Sequence, residues 1–291
     1  MVMVHAAATW NPFKGDQETI LAYLVSGLGG LAAPLFVTLF GWGMFRSKPN
    51  AKARMFQATF LVFCQILVNI SSPHLFNPLT PGILSLMALL TIIFPLIEYT
   101  LIKLNKNIII IILMVTFLFQ ILLPEVQGIG DWGDRVEDNS FTIILSNLFL
   151  TGTYPLFPWF LLFTIGATIS SLETKSNQTL PVNQKSILLV VIGCLFCIVT
   201  FIIAHYNDKL WAHPTSDAYL TFFPANPAFI VAAITGTLLI WFLVQHFVLS
   251  LLVSTGRISL TIYVIHFIPL SLMHNFENDY QWSVGLSASI V

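Results

Sequence analysis

Long apolar runs separated by short polar segments dominate the chain. Eight of these runs reach or approach the ~17–25 residues that a helix needs to cross ~30 Å of hydrocarbon. None alternates at period two, the pattern of membrane β-barrels. Because lipid cannot satisfy a free peptide group, each run is predicted to be a helix. The runs cover residues 21–45, 55–71, 83–102, 108–123, 154–172, 186–206, 228–247 and 259–274.

Two shorter apolar pieces lie at the ends of the chain. Residues 1–8 are too few to cross a bilayer, and residues 282–291 begin like a helix and then stop. We interpret both ends as clipped relative to a parent fold of about ten crossings; the alternative is that eight helices are the whole design. The expected fold is an all-α polytopic membrane protein. It has about eight complete transmembrane helices plus a partial helix at each end, in a single domain over residues 1–291.

One segment is too long for a simple crossing. Residues 141–172 are 32 residues long and contain Pro155 and Pro158. Proline removes a helix donor and restricts the residue before it. We therefore predict a short helix over residues 141–151, in or re-entering the outer leaflet, followed by the true crossing. Irregular backbone at that depth survives only where protein or water covers it, so residues 151–159 are predicted to line a cavity.

Basic residues in the loops predict the orientation. Of the 12 lysines and arginines, 9 fall in loops on one side and 3 on the other. Such a bias marks the richer side as cytoplasmic. The opposite side is acidic, most of all in residues 125–139, and residues 1–20 are placed there. The prediction is a multi-pass protein of the cell membrane with cytoplasmic basic loops. The nine residues are Arg46, Lys48, Lys52, Arg54, Lys103, Lys106, Lys175, Lys185 and Arg257.

Composition agrees with this pattern. The chain is 56% hydrophobic and 9% charged, against about 25% charged in soluble proteins. The lipid bilayer is therefore the first expected partner. A net charge of −1 without a basic stripe excludes nucleic acid as a partner. Cys194 and Cys197 form a CxxC inside an apolar run, which we interpret as small packing residues, so no metal is expected.

Two histidines are the candidates for chemistry. His5 lies at the outer end of the partial first helix, where it is either an interfacial histidine or a general base. His266 lies near the middle of its span, three residues after Tyr263 on one helix face. It either bonds a neighbouring backbone carbonyl or faces the bundle interior or a water-filled cavity. From these residues alone, the interpretation ends at a polytopic membrane protein with intramembrane histidines.

Most tryptophans lie near predicted outer boundaries, as in an aromatic belt. Trp10 and Trp159 stay open as binding residues, since aromatic faces also stack on sugar rings. The sequence contains no zinc signature, nucleophile elbow or phosphate-binding loop.

Four stretches together carry a resemblance to a known family. They read MVMVHAAATW over residues 1–10, APLFVTLFGWGMFR over 33–46, GTYPLFPWFLLFTIG over 152–166 and GRISLTIYVIH over 256–266, with FPANPAF over 223–229 before the last. In this order and spacing they resemble the transmembrane acyltransferases, namely the heparan-α-glucosaminide N-acetyltransferases and their acyltransferase 3-like prokaryotic relatives. The resemblance spans nearly the whole chain. Its most specific parts are Pro158-Trp159, which follows Pro155, and the stretch GRISLTIYVIH over residues 256–266.

The resemblance implies a role for His5. Members carry a histidine or asparagine near the far end of the first helix, and His5 matches that position; His266 is the second catalytic candidate. An arginine that members carry earlier in the first helix would precede Met1. The eukaryotic catalytic histidine, which precedes a Trp-Asn pair, has no direct match here because Thr9 precedes Trp10.

The remaining site predictions concern the two substrates. The predicted substrate-binding residues are Trp10, Asn11, Trp159 and Tyr263. The residues expected to meet the phosphates of acyl-CoA are Arg46 and Arg257.

The function implied is transfer of an acyl group, with acetyl expected, from cytosolic acyl-CoA to a sugar or glycan acceptor on the outer side. Acyl-CoA is then the only cofactor expected. A secondary transporter is the alternative from another class, since helix breaks at Pro34 and at Pro155 and Pro158 would suit a binding site, although no internal repeat is visible. A non-catalytic membrane subunit is the third hypothesis, and a homodimer stays open as the assembly.

Overall fold

The computed structural model describes residues 2, 5, 6, 20–103, 108–128, 131–172, 180, 183–215, 217–247 and 250–279. Most of this is helix, which agrees with the predicted all-α membrane class. Five described helices are long and apolar enough to cross a membrane. They are α1 (Ile20–Ser47), α2 (Ala51–Ser71), α3 (Ile83–Lys103), α8 (Gln184–Tyr206) and α9 (Pro227–Val244).

The shorter elements complete the described part of the chain. A bent helix pair would raise the number of candidate spans to six, and apolar helices over Ile111–Leu122 and Ser259–Leu272 are shorter still. Eight complete crossings therefore stay a prediction. The remaining helices are α4 (Ile108–Leu122), α5 (Trp132–Val136), α6 (Phe141–Ser146), α7 (Leu156–Leu172), α10 (Ser250–Arg257), α11 (Ser259–Ile265) and α12 (Phe267–Asp279).

The long segment before α7 is broken, as its prolines predict. Helix α6 continues into a π-helical turn, Asn147–Thr151, and the axis of α7 is then inclined by 48°. Phe157 has an extended backbone (φ −97°, ψ 121°) because it precedes Pro158, which disfavours the helical conformation of its neighbour. In contrast, α1 runs through Pro34 as one helix, so the break considered there is wrong. A helix break in lipid would leave several peptide groups without hydrogen bonds, whereas proline inside a continuous helix removes only one donor.

Helices α1 and α7 pack backbone against backbone. A Cβ at Gly166 would lie 1.8 Å from the carbonyl oxygen of Thr38, and one at Gly41 would lie 2.1 Å from that of Phe163. Small residues permit such approach, which drives helix association where lipid removes the hydrophobic difference. Fully buried side chains, Val37 and Phe163 among them, surround the contact. This pair of helices is the centre of the core.

Loops gather at one end of the bundle, which we call the acidic end: residues 72–82, residues 123–128 with 131–140, and residues 207–215 with 217–226. The indole N–H of Trp132 donates to the carbonyl of Leu75 (3.1 Å), and the N–H of Leu79 donates to Asp138 (2.9 Å). A small parallel sheet of β1 (Leu210–His213) and β2 (Ala218–Thr221) belongs to the third loop and was not predicted. Its neighbour Phe223 packs on Trp132, with ring centroids 5.2 Å apart.

Gly166→Ala should lower the melting temperature of the detergent-solubilised protein. Its methyl group would meet the Thr38 carbonyl, and overpacking of this kind costs about 1–3 kcal/mol. The matched control is Gly43→Ala on α1, since a Cβ at Gly43 meets nothing within 4 Å. Thermal unfolding of both variants checks the prediction. Equal melting temperatures would contradict the close contact of α1 with α7.

Candidate functional site

The structure brings the two predicted catalytic histidines together. Nδ1 of His5 lies 2.7 Å from Nε2 of His266, although 261 positions separate them in sequence. The rings are nearly parallel, with an interplanar angle of 7° and centroids 5.0 Å apart. His266 is buried and His5 is half-buried. A hydrogen-bonded histidine pair therefore lies inside the bundle.

The position of His266 follows from a helix break. Helix α11 ends at Ile265 because Pro269 has no N–H to give to the Ile265 carbonyl, and α12 begins at Phe267. His266 occupies the junction. Its backbone N–H donates to the carbonyl of Ile262 (3.0 Å), and its Nδ1 lies 3.1 Å from the same oxygen.

Aromatic side chains hold the pair in place. Phe267 is fully buried, with its ring centroid 4.8 Å from that of His5 and 4.2 Å from that of His266. Tyr263 is also buried and lies 6.1 Å from His5 and 5.6 Å from His266 by the same measure. The predicted site residue Tyr263 thus belongs to the same cluster as both histidines.

Trp159 lies in an aromatic cluster beside this pair. Its ring centroid is 5.0 Å from that of Tyr154 and 5.2 Å from that of Phe222. Tyr154 in turn is close enough to Tyr263 for the two hydroxyl groups to interact electrostatically. Trp159 is fully buried, and within the described residues its indole N–H has no hydrogen-bond partner. It packs inside the cluster and presents no open face.

A second run of rings joins the histidine pair to the same cluster by another route. Phe267 contacts Phe76 (6.1 Å between centroids), Phe76 contacts Trp132 (5.9 Å), Trp132 contacts Phe223 (5.2 Å) and Phe223 contacts Tyr154 (5.9 Å). We call this run, Phe76, Trp132, Phe223 and Tyr154, the aromatic wall. It was not predicted from the sequence. The signal was present in the FPANPAF stretch and in the aromatic residues of the loops, but residues this far apart in sequence show no pattern.

Arg135 stabilises the broken segment before α7. Its side chain is 1% exposed, and its guanidinium donates to the carbonyls of Thr151 (2.8 Å), Gly152 (3.2 Å), Gln127 (3.2 Å) and Gly128 (3.5 Å). Burial lowers the pKa of Arg135 to about 10, so it stays charged at neutral pH. The sequence indicated only a basic residue in an acidic loop.

The other predicted site residues lie elsewhere. Arg46, in the last turn of α1, is exposed, and its guanidinium lies 5.1 Å from the centre of the Trp42 ring. Arg257 is the exposed last residue of α10. Neither contacts the histidine pair in the interactions that the structure describes. Trp10 and Asn11 lie outside the described residues.

A second histidine pair was not predicted. His74, after α2, stacks on His274 of α12 with ring centroids 4.2 Å apart and an interplanar angle of 15°. Burial, together with the charge of His274, lowers the pKa of His74. This contact attaches α12 to the acidic end. In the described part of the chain, no group of three or more metal-ligating side chains gathers.

The fold and the site together define a polytopic helical membrane protein with a histidine pair inside the bundle. The chain belongs to the acyltransferase domain family, whose family model matches residues 1–291. It is therefore a membrane acyltransferase of the acyltransferase 3 family. No curated protein and no solved structure matches it. The closer relationship to the heparan-α-glucosaminide N-acetyltransferases stays a prediction.

Arg135→Ala should destabilise the protein by on the order of 2–4 kcal/mol, because buried carbonyls lose their donor. Arg135→Lys should recover only part of this loss, since an ammonium lacks the guanidinium fork. Melting temperature in detergent is the measurement. The control is Arg54→Ala, which removes a single bond to the carbonyl of Pro49. An equal loss in both arginine-to-alanine variants would argue against Arg135 as the stabilising residue.

Proposed function

We propose that the protein transfers an acyl group, with acetyl expected, from cytosolic acyl-CoA to a sugar or glycan acceptor on the outer side of the cell membrane. The observation that carries this proposal is the His5–His266 pair inside a chain of the acyltransferase family. In this proposal His5 is the general base. The donor enters at one end of the bundle and the acceptor at the other.

The position of the pair suits a base. A neutral histidine acts as a general base through a ring nitrogen whose lone pair is free to accept a proton. Nε2 of His5 has no hydrogen-bond partner among the described residues, whereas Nδ1 is engaged by His266. One nitrogen is thus available for a substrate proton.

Donor entry is assigned to the end of the bundle that carries Arg46 and Arg257, which we call the basic end. Helix α2 begins just after Arg46, and His74 follows its other end. Helix α11 begins just after Arg257, and α12 follows it and carries His274, which contacts His74. The two arginines therefore lie at the same end, opposite the acidic end. Exposed guanidinium groups suit the phosphates of CoA.

Charge supports a cytoplasmic basic end. Of the 3 basic residues counted on the acidic side, Arg135 is buried on backbone carbonyls, and Lys209 pairs with Asp217 at 2.8 Å. The bias itself is the count of lysines and arginines, 9 against 3, since pairing with an acidic residue does not alter the rule. At the basic end, Lys48 pairs with Glu98 at 3.3 Å, which places the ends of α1 and α3 side by side.

Acceptor entry is assigned to the acidic end, where the aromatic wall meets the histidine pair through Phe267. Rings such as Tyr154 and Phe223 offer the apolar faces on which sugars stack. Tyr154 and Tyr263 each carry a hydroxyl with no hydrogen bond among the described residues, so both can bond a polar acceptor. A buried Trp159 would support this surface from behind.

The reaction balances with these groups. Nε2 of His5 takes the proton of the acceptor hydroxyl or amine as that atom bonds to the thioester carbonyl carbon. The carbon–sulfur bond then breaks, and the CoA thiolate leaves. His5 returns the proton to that sulfur, so the products are the acylated acceptor and CoA thiol. Proton transfer by a positioned base is typically worth ~10²–10⁴-fold.

Permeabilised membranes containing the full chain should transfer label from radiolabelled acetyl-CoA to a member of a panel of hexose and hexosamine oligosaccharides. His5→Ala should lower kcat by ~10²-fold or more, because the base is lost. His5→Asn should be equally slow, since a carboxamide bonds but does not accept a proton near neutral pH. The control is His205→Ala, at the exposed end of α8.

Two outcomes would change this assignment. If His5→Asn keeps wild-type kcat, His5 orients a substrate and is not the base. If His5→Ala is also fully active, the site is elsewhere. Uptake of the same sugars into sealed vesicles, without acyl transfer, would instead favour the transporter alternative.

Cysteine labelling should confirm the orientation. In a background with Cys64, Cys194 and Cys197 replaced by alanine, Asp217→Cys should react with a membrane-impermeant maleimide on intact cells. Asp217 is 85% exposed, in the loop at the acidic end. Lys185→Cys, exposed at the start of α8, should react only after permeabilisation. The reverse pattern would invert the proposed topology and the entry sides of both substrates.

A further inference from the structure

We propose that His266 is a positioning residue that selects the tautomer of His5, through a hydrogen-bond relay that begins at the carbonyl of Ile262. This inference rests on the proposed role of His5 as the base. It assigns to His266 no proton transfer with the substrate. The relay runs from the Ile262 carbonyl to His266 and from His266 to His5.

The first step determines the tautomer of His266. Nδ1 of His266 lies 3.1 Å from the carbonyl oxygen of Ile262. A carbonyl oxygen only accepts, so Nδ1 must carry the proton. The same oxygen also accepts the backbone N–H of His266, and its two lone pairs allow both bonds. In a neutral ring, Nε2 of His266 is then an acceptor.

The second step determines the tautomer of His5. Nε2 of His266 accepts, so Nδ1 of His5, 2.7 Å away, must donate. The geometry favours a linear bond. The centroid separation of 5.0 Å is close to the nitrogen–nitrogen distance plus the radius of each imidazole ring, so the two nitrogens lie on the line between the centroids. Because the ring planes are also nearly parallel, the rings lie edge to edge in one plane. Such a bond holds both the proton and the ring orientation.

The third step leaves one basic nitrogen. With its proton on Nδ1, neutral His5 keeps its lone pair on Nε2, which has no partner in the described part of the chain. When Nε2 takes a proton, the positive charge on His5 is shared with the Nε2 lone pair of His266. The relay does for His5 what a carboxylate does for the histidine of a catalytic triad, with a neutral ring in its place.

The same contacts argue against His266 as the base. Both of its ring nitrogens are engaged, Nδ1 by Ile262 and Nε2 by His5. Its ring is also fixed by the fully buried Phe267, 4.2 Å away between centroids. His266 can therefore act on the substrate only through His5.

Kinetics of three variants test the relay. His266→Ala should lower kcat for acetyl transfer by about 10–100-fold, as when the orienting partner of a metal-bound histidine is removed, and leave the KM for acetyl-CoA unchanged. His266→Gln should lower kcat by less than ~10-fold, because its carboxamide oxygen can accept the hydrogen bond from Nδ1–H of His5 in place of Nε2. The control is His274→Ala, which removes a half-buried histidine of α12 that contacts His74.

The double variant separates positioning from catalysis. Combining His5→Ala with His266→Ala should be no slower than His5→Ala alone, since a residue that acts only through His5 has no effect without it. A further loss in the double variant, or no recovery in His266→Gln, would overturn the proposal.

Nitrogen NMR of isotope-labelled histidines provides a readout that is independent of activity. The His5 signals are assigned by their loss in His5→Ala. Wild-type protein should show His5 with its proton on Nδ1, and His266→Ala should show the proton redistributed toward Nε2. A wild-type His5 with its proton on Nε2 would overturn the relay, whether or not the protein transfers acetyl. The expected tautomer with no acyl transfer would leave the relay standing and remove the proposed function.

Discussion

Every carbonyl that leaves a regular helix inside a bilayer needs a protein donor, because hydrocarbon offers no water to replace it. In this structure Arg135 meets that need at one proline break, and His266 lies at a second one. Arg135 gives its guanidinium hydrogens to the carbonyls around the break before α7. His266 lies at the break between α11 and α12, where its Nδ1–H gives a second hydrogen bond to the Ile262 carbonyl, which already accepts the backbone N–H of His266. Both breaks are caused by proline, and both lie where the chain gathers its polar and aromatic side chains.

The backbone contact between α1 and α7 explains why the break before α7 stays in place. At Gly41 and Gly166, each helix places a glycine against a backbone carbonyl of the other helix. This close contact fixes the inclination of α7 relative to α1. The aromatic wall then closes over the acidic end. A rigid frame of this kind suits acyl transfer, because orientation of two substrates and a base contributes more to rate than any single contact. Membership in the acyltransferase family and the histidine pair thus point to the same chemistry.

Prediction from the sequence succeeded where a local pattern carried the information. The break before α7 follows from Pro158, which acts on its own neighbour Phe157. It failed at Pro34, where α1 stays one helix, since a break in lipid would expose more peptide groups than the one donor that proline removes. Arg135 was counted as a surface charge, because a sequence does not show whether a guanidinium meets water or four carbonyls. Trp159 was considered as a stacking face, and the neighbouring rings bury it.

The sequence by itself determined that the protein belongs in a membrane, where its long apolar helices lie, and that a break precedes α7. These follow from composition, run length and proline, which act over a few residues. It also marked His5 and His266 separately, as polar groups in apolar surroundings. Only the tertiary structure decided that they touch, with 261 positions between them, and that Ile262 is the partner which orders their protons. Hydrogen-bond direction depends on distances between atoms, and those are set by the packing of helices that meet only in the folded chain.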